Sequence, residues 1–354
     1  MKRVTFPGLG WSFDIDSTAF SIGWLEIKWY GLLIAFGFIL AVVYAMLMCK
    51  KMVIDRSKLL DTIIVGLVAG IIGARLYYVL FYPGDKFWKD PISILYIHQG
   101  GLGIYGGIIG AMVIGGLFAK FRKLNVWSVL DVGVLGFLIG QTIGRWGNFV
   151  NQEAFGGPTS LPWGMQSENT LLVSPNSPVH PCFFYESLWC LIGFILLHFF
   201  TTKLRQYNGQ TFLLYLVWYG TGRFFIEALR TDSLYVPYLP IKISQLVAVV
   251  TVLVGIILLI VFRNRRTLAG CGAKTVMAQN ERCWAEAIEG SLTAETEQTR
   301  GRHFKKENPA AYERRSVVKL RKRLLEQAAR QNGIQAEQNL GMDDKGERED
   351  GGNH

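Results

Sequence analysis

The sequence predicts an all-α integral membrane protein with seven transmembrane helices, a small extracytoplasmic head and a polar cytoplasmic tail. Three observations carry that expectation. Half of the 354 residues are hydrophobic and only 18% are charged, against about 25% charged in soluble proteins. The charges are unevenly placed: residues 1–262 hold 19 Lys and Arg and 13 Asp and Glu, which leaves 18 and 14 to the last 92 residues. The first part also contains seven apolar runs, at 29–49, 59–82, 101–119, 124–143, 183–200, 211–229 and 243–262. Each is close to the roughly 20 residues that cross a hydrocarbon core as a helix. This composition excludes a soluble enzyme, a disulfide scaffold and a nucleic-acid module.

Taken in order, the N-terminus is no cleavable leader, because Met1-Lys2-Arg3 leads to Phe6, Gly8, Asp14 and Asp16 and not to an apolar core. The first, third and seventh runs contain no charge. Orientation comes from the short loops. Lys50, Lys51, Arg56 and Lys58, then Lys120, Arg122 and Lys123, then Lys203 and Arg205, then Arg263, Arg265 and Arg266 all fall on one side. That side is the cytoplasmic one, so the N-terminus is outside and seven spans return the tail to the inside. Residues 144–182 form the head, with Trp146, Phe149, Phe155 and Trp163 to bury. The division is thus 1–262, a membrane domain, and 263–354, a charged tail. Within the tail, Val317, Val318, Leu320, Leu324, Leu325 and Ala328 suggest one helix near 309–331. Its basic face (Lys319, Arg321, Lys322, Arg323) suits an anionic inner leaflet; a solvated tail is the alternative.

Cys49, Cys182, Cys190, Cys271 and Cys283 form no CxxC pair, and His98, His180, His198, His303 and His354 form no HxxxH or HExxH. No metal site is expected. Cys49 and Cys190 lie in apolar runs and are expected to be small buried hydrophobes.

Ionisable side chains inside spans are costly, and each marks a site. At about 1.5 Å rise per residue, Arg75, Arg145, Glu186, Arg223 and Glu227 all fall in the outer half of the bundle, with Arg230 at its exit. Tyr30 and Tyr105 join them at the outer starts of spans one and three. Tyr219, Arg223 and Glu227 are spaced i, i+4, i+8 on one helix face. Asp61 and Asp131 are expected near the inner ends, close to water. Guanidinium matches phosphate with a two-pronged fork, so an arginine-rich outer pocket suits a phospholipid headgroup. Structural Arg–Glu pairing is the competing explanation. Residues 100–110 read GGLGIYGGIIG: Gly103/Gly107 and Gly106/Gly110 predict close helix contact, and the turn before them is expected to offer backbone N–H groups to an anion. The embedded GxGxxG lacks the preceding strand that a dinucleotide site needs.

Residues 144–156 read GRWGNFVNQEAFG. This resembles the signature of bacterial prolipoprotein diacylglyceryl transferases, G-R-x-G-N-F-hydrophobic-N-x-E-x-x-G, at every fixed position: Gly144, Arg145, Gly147, Asn148, Phe149, Asn151, Glu153 and Gly156. Trp29-Tyr30-Gly31, Gly73-Ala74-Arg75-Leu76, Gly100-Gly101 with Tyr105-Gly106-Gly107, and Tyr219-Gly220 with Arg223-Phe224 and Glu227 are similar to further motifs of that family, in order. The similarity covers about 1–262.

The resemblance implies a multi-pass protein of the bacterial cytoplasmic membrane whose active site faces the outer leaflet. It implies transfer of the sn-1,2-diacylglyceryl group of phosphatidylglycerol to the thiol of a prolipoprotein lipobox cysteine. A thioether forms and glycerol 1-phosphate leaves, the first step of lipoprotein maturation, with no cofactor. The expected partners are phosphatidylglycerol, lipobox peptides and membrane lipids. Arg145 is implied as a phosphatidylglycerol-binding and catalytic residue and Arg223 as an essential one. Tyr30, Arg75, Asn148, Glu153, Gly156, Tyr219 and Glu227 are implied around the substrate. Tyr105 stands where some members carry a histidine, so a proton relay through its phenol is the expectation for the thiol proton. A transporter or flippase of an anionic lipid or solute is the alternative function; it requires access from both sides.

Overall fold

The computed structural model describes residues 2–280 apart from 24, 97–99, 232, 234, 236–240 and 266–267, together with residue 282. The helix expected near 309–331 lies outside the described residues. The chain divides into two units, Met1–Val276 and Met277–His354. All the elements named below belong to the first.

The chain opens with four strands, β1 (Lys2–Phe6), β2 (Trp11–Ile15), β3 (Thr18–Ile22) and β4 (Leu25–Lys28). Helices α1 (Trp29–Met52), α2 (Arg56–Leu80), the short α3 (Lys86–Lys89), α4 (Ile104–Phe121) and α5 (Val126–Asn151) come next. Then come β5 (Gln166–Ser167), α6 (Glu168–Val173), α7 (Cys182–Lys203), α8 (Gln210–Leu229) and α9 (Ile243–Val261). Among the described residues six helices, α1, α2, α4, α5, α7 and α9, are long and apolar enough to cross a membrane. The run expected at 211–229 is the 20-residue helix α8, whose apolar character is diluted by Gln210, Tyr215, Tyr219, Arg223 and Glu227.

The strictly all-α expectation is corrected by the strands. β1 pairs antiparallel with both β2 and β5, and β3 with β4. The physical reason is local. Trp11, Phe13 and Ile15 alternate with polar residues at the strand period, and Gly10 takes φ 68° to turn β1 back on itself. β1 carries Val4 into a core with Met165, Val179 and Phe183, against which Phe6, Phe149 and Phe155 pack. The head therefore owes its core partly to the far N-terminus of the chain. α5 also runs about two turns past the expected 143, to Asn151, and so carries the signature segment as helix.

Small residues set the helix contacts, as close backbone approach requires. Gly106 and Gly110 of α4 lie on Ala69 and Gly73 of α2: a Cβ on Gly73 would meet Gly106 O at 2.5 Å, and one on Gly110 would meet Ala69 O at 2.5 Å. α1 meets α5 through Gly37 against Gly140 and Gly136 against Ala41. α7 meets α8 through a reciprocal indole pair. Trp189 and Trp218 stack at 4.4 Å between centroids. Each Nε1 donates to the other's backbone oxygen, at 3.0 and 3.1 Å.

The ends of α8 are anchored by opposite charges. At its start, Asp131 accepts from Gly209 N (2.7 Å) and Phe212 N (2.9 Å) while pairing with Arg205 Nη1 at 2.9 Å. At its end, Lys242 Nζ donates to Glu227 O (2.7 Å) and Arg230 O (2.6 Å). Each charge complements the helix dipole at its end. Asp131, expected close to water, is instead fully buried, because Arg205 and two helix amides replace the water. Asp61 pairs with Arg122 Nη2 at 2.5 Å, half-exposed.

Candidate active site

The seam between α5, α7 and α8 is apolar where Leu135, Leu138, Cys190, Leu197 and Tyr215 meet. Following each helix outward from that seam, along its own period, leads to a charged cluster. Arg145 is two turns beyond Leu138, Glu186 one turn before Cys190, and Tyr219 and Arg223 one and two turns beyond Tyr215. The faces that build the core also build the site.

Glu186 is the hub. Its Oε1 lies 2.5 Å from Arg145 Nη2 and accepts from Tyr219 OH at 3.2 Å. Its Oε2 accepts from Arg223 Nη1 at 3.1 Å. Arg223 Nη2 lies 2.7 Å from Glu227 Oε2, one turn along the same helix. The two acids are buried, at 3% and 2% exposure. The guanidinium groups sit in front of them, with side chains 21% and 19% exposed. Two cations are thus held by two deeper anions and keep about a fifth of their side-chain surface uncovered. A group of this kind accepts a further anion only by sharing its forks, and fixed guanidinium forks serve that purpose well.

The signature segment has two faces. Gly144 and Gly147 are buried against α1, where added Cβ atoms would meet Ile34 Cδ1 at 2.9 Å and Tyr30 Cδ2 at 2.5 Å. Arg145 and Asn148 point the other way, and Arg145 Nη1 donates to Asn148 Oδ1 at 3.4 Å. Asn148 Nδ2 in turn donates to Glu153 Oε1 at 2.9 Å, and Asn151 Nδ2 to the same oxygen at 3.4 Å. Glu153 is exposed and stands between two left-handed residues, Gln152 (φ 54°) and Ala154 (φ 57°). Helix α5 ends there, and the turn swings the carboxylate back over the helix end.

Gly156 works through its backbone. Its N–H donates to His180 O at 2.8 Å, Gly157 N–H to Leu229 O at 2.8 Å, and a Cβ would meet Leu229 O and Cys182 Sγ at 2.9 Å. It closes the start of α7 against the end of α8. Beside it, Trp163 Nε1 donates to Tyr185 OH at 2.8 Å, and that hydroxyl lies 3.2 Å from His180 Nδ1. Burial pushes the His180 imidazole down, so it is neutral near pH 7.

Two residues expected around the site, Arg75 and Tyr105, stand elsewhere, and a third, Tyr30, lies beside the signature segment. Arg75 is buried, and its guanidinium donates to Ser93 O (2.7 Å), Ile94 O (2.8 Å), Gly100 O (2.7 Å) and Gly101 O (2.9 Å). It organises the segment between α2 and α4. The glycine turn, expected to aim amides at an anion, presents carbonyls to Arg75: Gly100 and Gly101 adopt φ 84° and 78°, and a Cβ on Gly101 would sit 2.6 Å from Arg75 Nη1. Tyr105 is exposed at the start of α4, its ring 6.2 Å from that of Tyr77. Tyr30 lies exposed on α1 over Gly147.

Glu186 is visible in the sequence as an ionisable group in a span, but its position as the shared partner of both arginines is not. The signal for it is faint, because which helix faces meet is not written in any one helix. Among the described residues no group of three His, Cys, Asp or Glu is placed to hold a metal ion.

Comparison with known proteins agrees over most of the chain. Residues 17–261 match the prolipoprotein diacylglyceryl transferase family. The chain is 41% identical over 251 residues to the phosphatidylglycerol–prolipoprotein diacylglyceryl transferase of Finegoldia magna, covering 71% of this chain and 97% of that protein. It is 40% identical over 251 residues to the enzyme of that name in Staphylococcus haemolyticus (70% and 88% covered). With the one in Clostridium novyi it shares 43% over 250 residues (70% and 95%).

Proposed function

Because the chain belongs to the prolipoprotein diacylglyceryl transferase family, we propose that its arginine cluster performs that family's reaction through a phosphate clamp. The chain is a transferase that takes the diacylglyceryl group of phosphatidylglycerol and places it on a prolipoprotein. The acceptor is the lipobox cysteine thiol. Sulfur attacks a primary glycerol carbon, the carbon–oxygen bond to phosphate breaks, and glycerol 1-phosphate leaves with both bonding electrons. The thiol proton must depart, since the thiolate is the nucleophile. The relatives from Finegoldia, Staphylococcus and Clostridium are all named as transferases, and the flippase alternative has nothing further to support it.

The observation that carries the proposal is the shared Glu186 carboxylate, which holds Arg145 and Arg223 on one hub with their side chains only partly covered. Held cations at the point where negative charge builds up lower the barrier without reorganising. Arg145 and Arg223 grip the phosphate. Tyr219 and Glu227 hold their forks in register, and Asn148 and Glu153 face the glycerol headgroup. Tyr30 flanks the opening. Tyr105 is assigned the proton relay on its motif position alone. Gly156 closes the start of α7 against the end of α8 beside the cluster, and Arg75 orders the segment between α2 and α4.

In the bilayer, we take α8 as the seventh span beside the six apolar helices, with the N-terminal strands and the head outside and the tail from residue 263 in the cytoplasm. The positively charged loops support this orientation. The membrane is the bacterial cytoplasmic membrane and the cluster opens toward its outer leaflet.

The test is a mass shift of a lipobox peptide incubated with the full chain in vesicles containing phosphatidylglycerol. Arg145→Ala and Arg223→Ala are each expected to abolish the diacylglyceryl adduct. An adduct formed at the wild-type rate by both variants would overturn the clamp.

A further inference from the structure

A positively lined cavity lies at the other end of the bundle from the arginine cluster, about 460 Å³ in volume, bounded by Lys51, His198, Phe199, Thr202, Lys203 and Cys271. From Glu186 to Lys203 the chain climbs α7 by roughly 25 Å, so this cavity belongs to the opposite membrane face from the arginine cluster. Its back wall is fixed. After α9 the chain returns beneath the bundle: Cys271 N donates to Lys51 O at 2.7 Å, Ala273 N to Arg205 O at 2.8 Å, and Arg205 Nη2 to Ala269 O and Cys271 O at 2.8 and 2.9 Å.

The lining is one-sided in charge. Two of the six lining residues are lysines, Lys51 and Lys203, and none is acidic. Tyr44 OH lies 2.7 Å from His198 Nδ1, which leaves the other ring nitrogen for the cavity. Thr202 spends its hydroxyl on His198 O and Phe199 O, at 3.0 and 3.1 Å. Burial pushes the Cys271 thiol up, so it stays protonated and adds no negative charge. One wall is apolar and uncovered, since Phe199 of α7 is exposed. A small soluble anion needs no such wall; a phosphate that carries acyl chains does.

We infer that this cavity binds the phosphate headgroup of an anionic phospholipid drawn from the leaflet opposite the catalytic cluster. Lys51 and Lys203 contact the phosphate and the chains leave along Phe199. Anchoring by basic pockets between spans at the inner surface is in keeping with the general physics of anionic leaflets. The inference rests on the helices crossing a bilayer, not on the proposed chemistry.

Native mass spectrometry of the full chain, released from detergent with phosphatidylglycerol or phosphatidylcholine, tests it. Wild type is expected to retain one more phosphatidylglycerol than Lys51→Ala/Lys203→Ala, with affinity for that lipid down about tenfold or more. The control pair Lys50→Ala/Lys120→Ala, which removes the same charge outside the cavity, is expected to retain it. The single reversal Lys203→Glu guards against a double variant that fails to fold, and is expected to lose the same lipid. Arg145→Ala is expected to lose a different one, so the two sites fail separately. Equal retention by the cavity variants, equal loss in the control pair, or displacement by inorganic phosphate would each overturn the lipid assignment.

Discussion

At the N-terminal end of α8 one arginine meets one aspartate, and toward its C-terminal end two arginines meet two glutamates. Arg205 and Asp131 are wholly buried, at 0% side-chain exposure each. Asp131 takes two helix amides besides Arg205, and Arg205 spends its remaining fork on two carbonyls. That group is closed. Around Glu186 the acids are nearly as deep, but the arginine side chains stand about a fifth exposed. Residue type and approximate depth do not separate the two groups. Cover does: where both side chains of a pair are wholly buried, charge serves the fold, and where the cations keep part of their side-chain surface uncovered, charge is available to a ligand.

The comparison breaks most sharply at the closed pair. Removing one partner of a buried ion pair strands the other charge and costs about 3–5 kcal/mol. Asp131→Ala is therefore expected to lower thermal stability by that order, while the surviving folded protein keeps its turnover per molecule. A thermal melt paired with the lipobox-peptide assay reads both. If Asp131→Ala left stability intact and removed transfer, the closed pair would have to be counted with the site.

Arg223→Lys makes the complementary cut. Lysine keeps the charge but loses the fork, and loss of one such transition-state donor costs on the order of 10²–10³ in rate. The melt is expected to move little, because α8 stays anchored by Asp131 and Lys242. Full turnover in Arg223→Lys would reduce the cluster to structural pairing.

A smaller effect is expected where packing sets the hub. Trp189 and Trp218 lie against Gly222 and Gly193, and Gly222 precedes Arg223. An added methyl at 222 forces the indoles apart and shifts Glu186 relative to Arg223. Gly222→Ala is expected to slow transfer about tenfold, in line with the sensitivity of catalysis to small misplacements, and to raise KM less than it lowers kcat. A pure rise in KM would show that α7 and α8 slide without disturbing the reacting groups.

How much of this contrast the sequence carries differs by residue. The helices are legible because apolar runs of bilayer length have few other uses, and α8 is legible at 211–229 despite its dilution. Arg223 with Glu227 is legible as an i, i+4 pair on one helix. Glu186 as hub, Arg205 as partner of Asp131, and Arg75 as a loop anchor are not legible in the same way. Each depends on how helices or loops distant in sequence are turned toward one another. The N-terminal strands are hidden for another reason: five-residue elements give only two or three alternations, and β1 gains its burial from β5, at the far side of five helices.

The mildest perturbation falls on Tyr105, where motif position and geometry point apart. Its place in the family pattern suggests the proton relay, yet the ring stands exposed beside Tyr77 and makes no hydrogen bond to the Glu186 hub among the described residues. Tyr105→Phe is expected to lower the rate by less than about tenfold, below the 10²–10⁴ of a fully engaged acid–base group, in the lipobox-peptide assay. A rate equal to wild type would take the phenol out of the chemistry. The thiol proton would then have to leave through the hub residues or water.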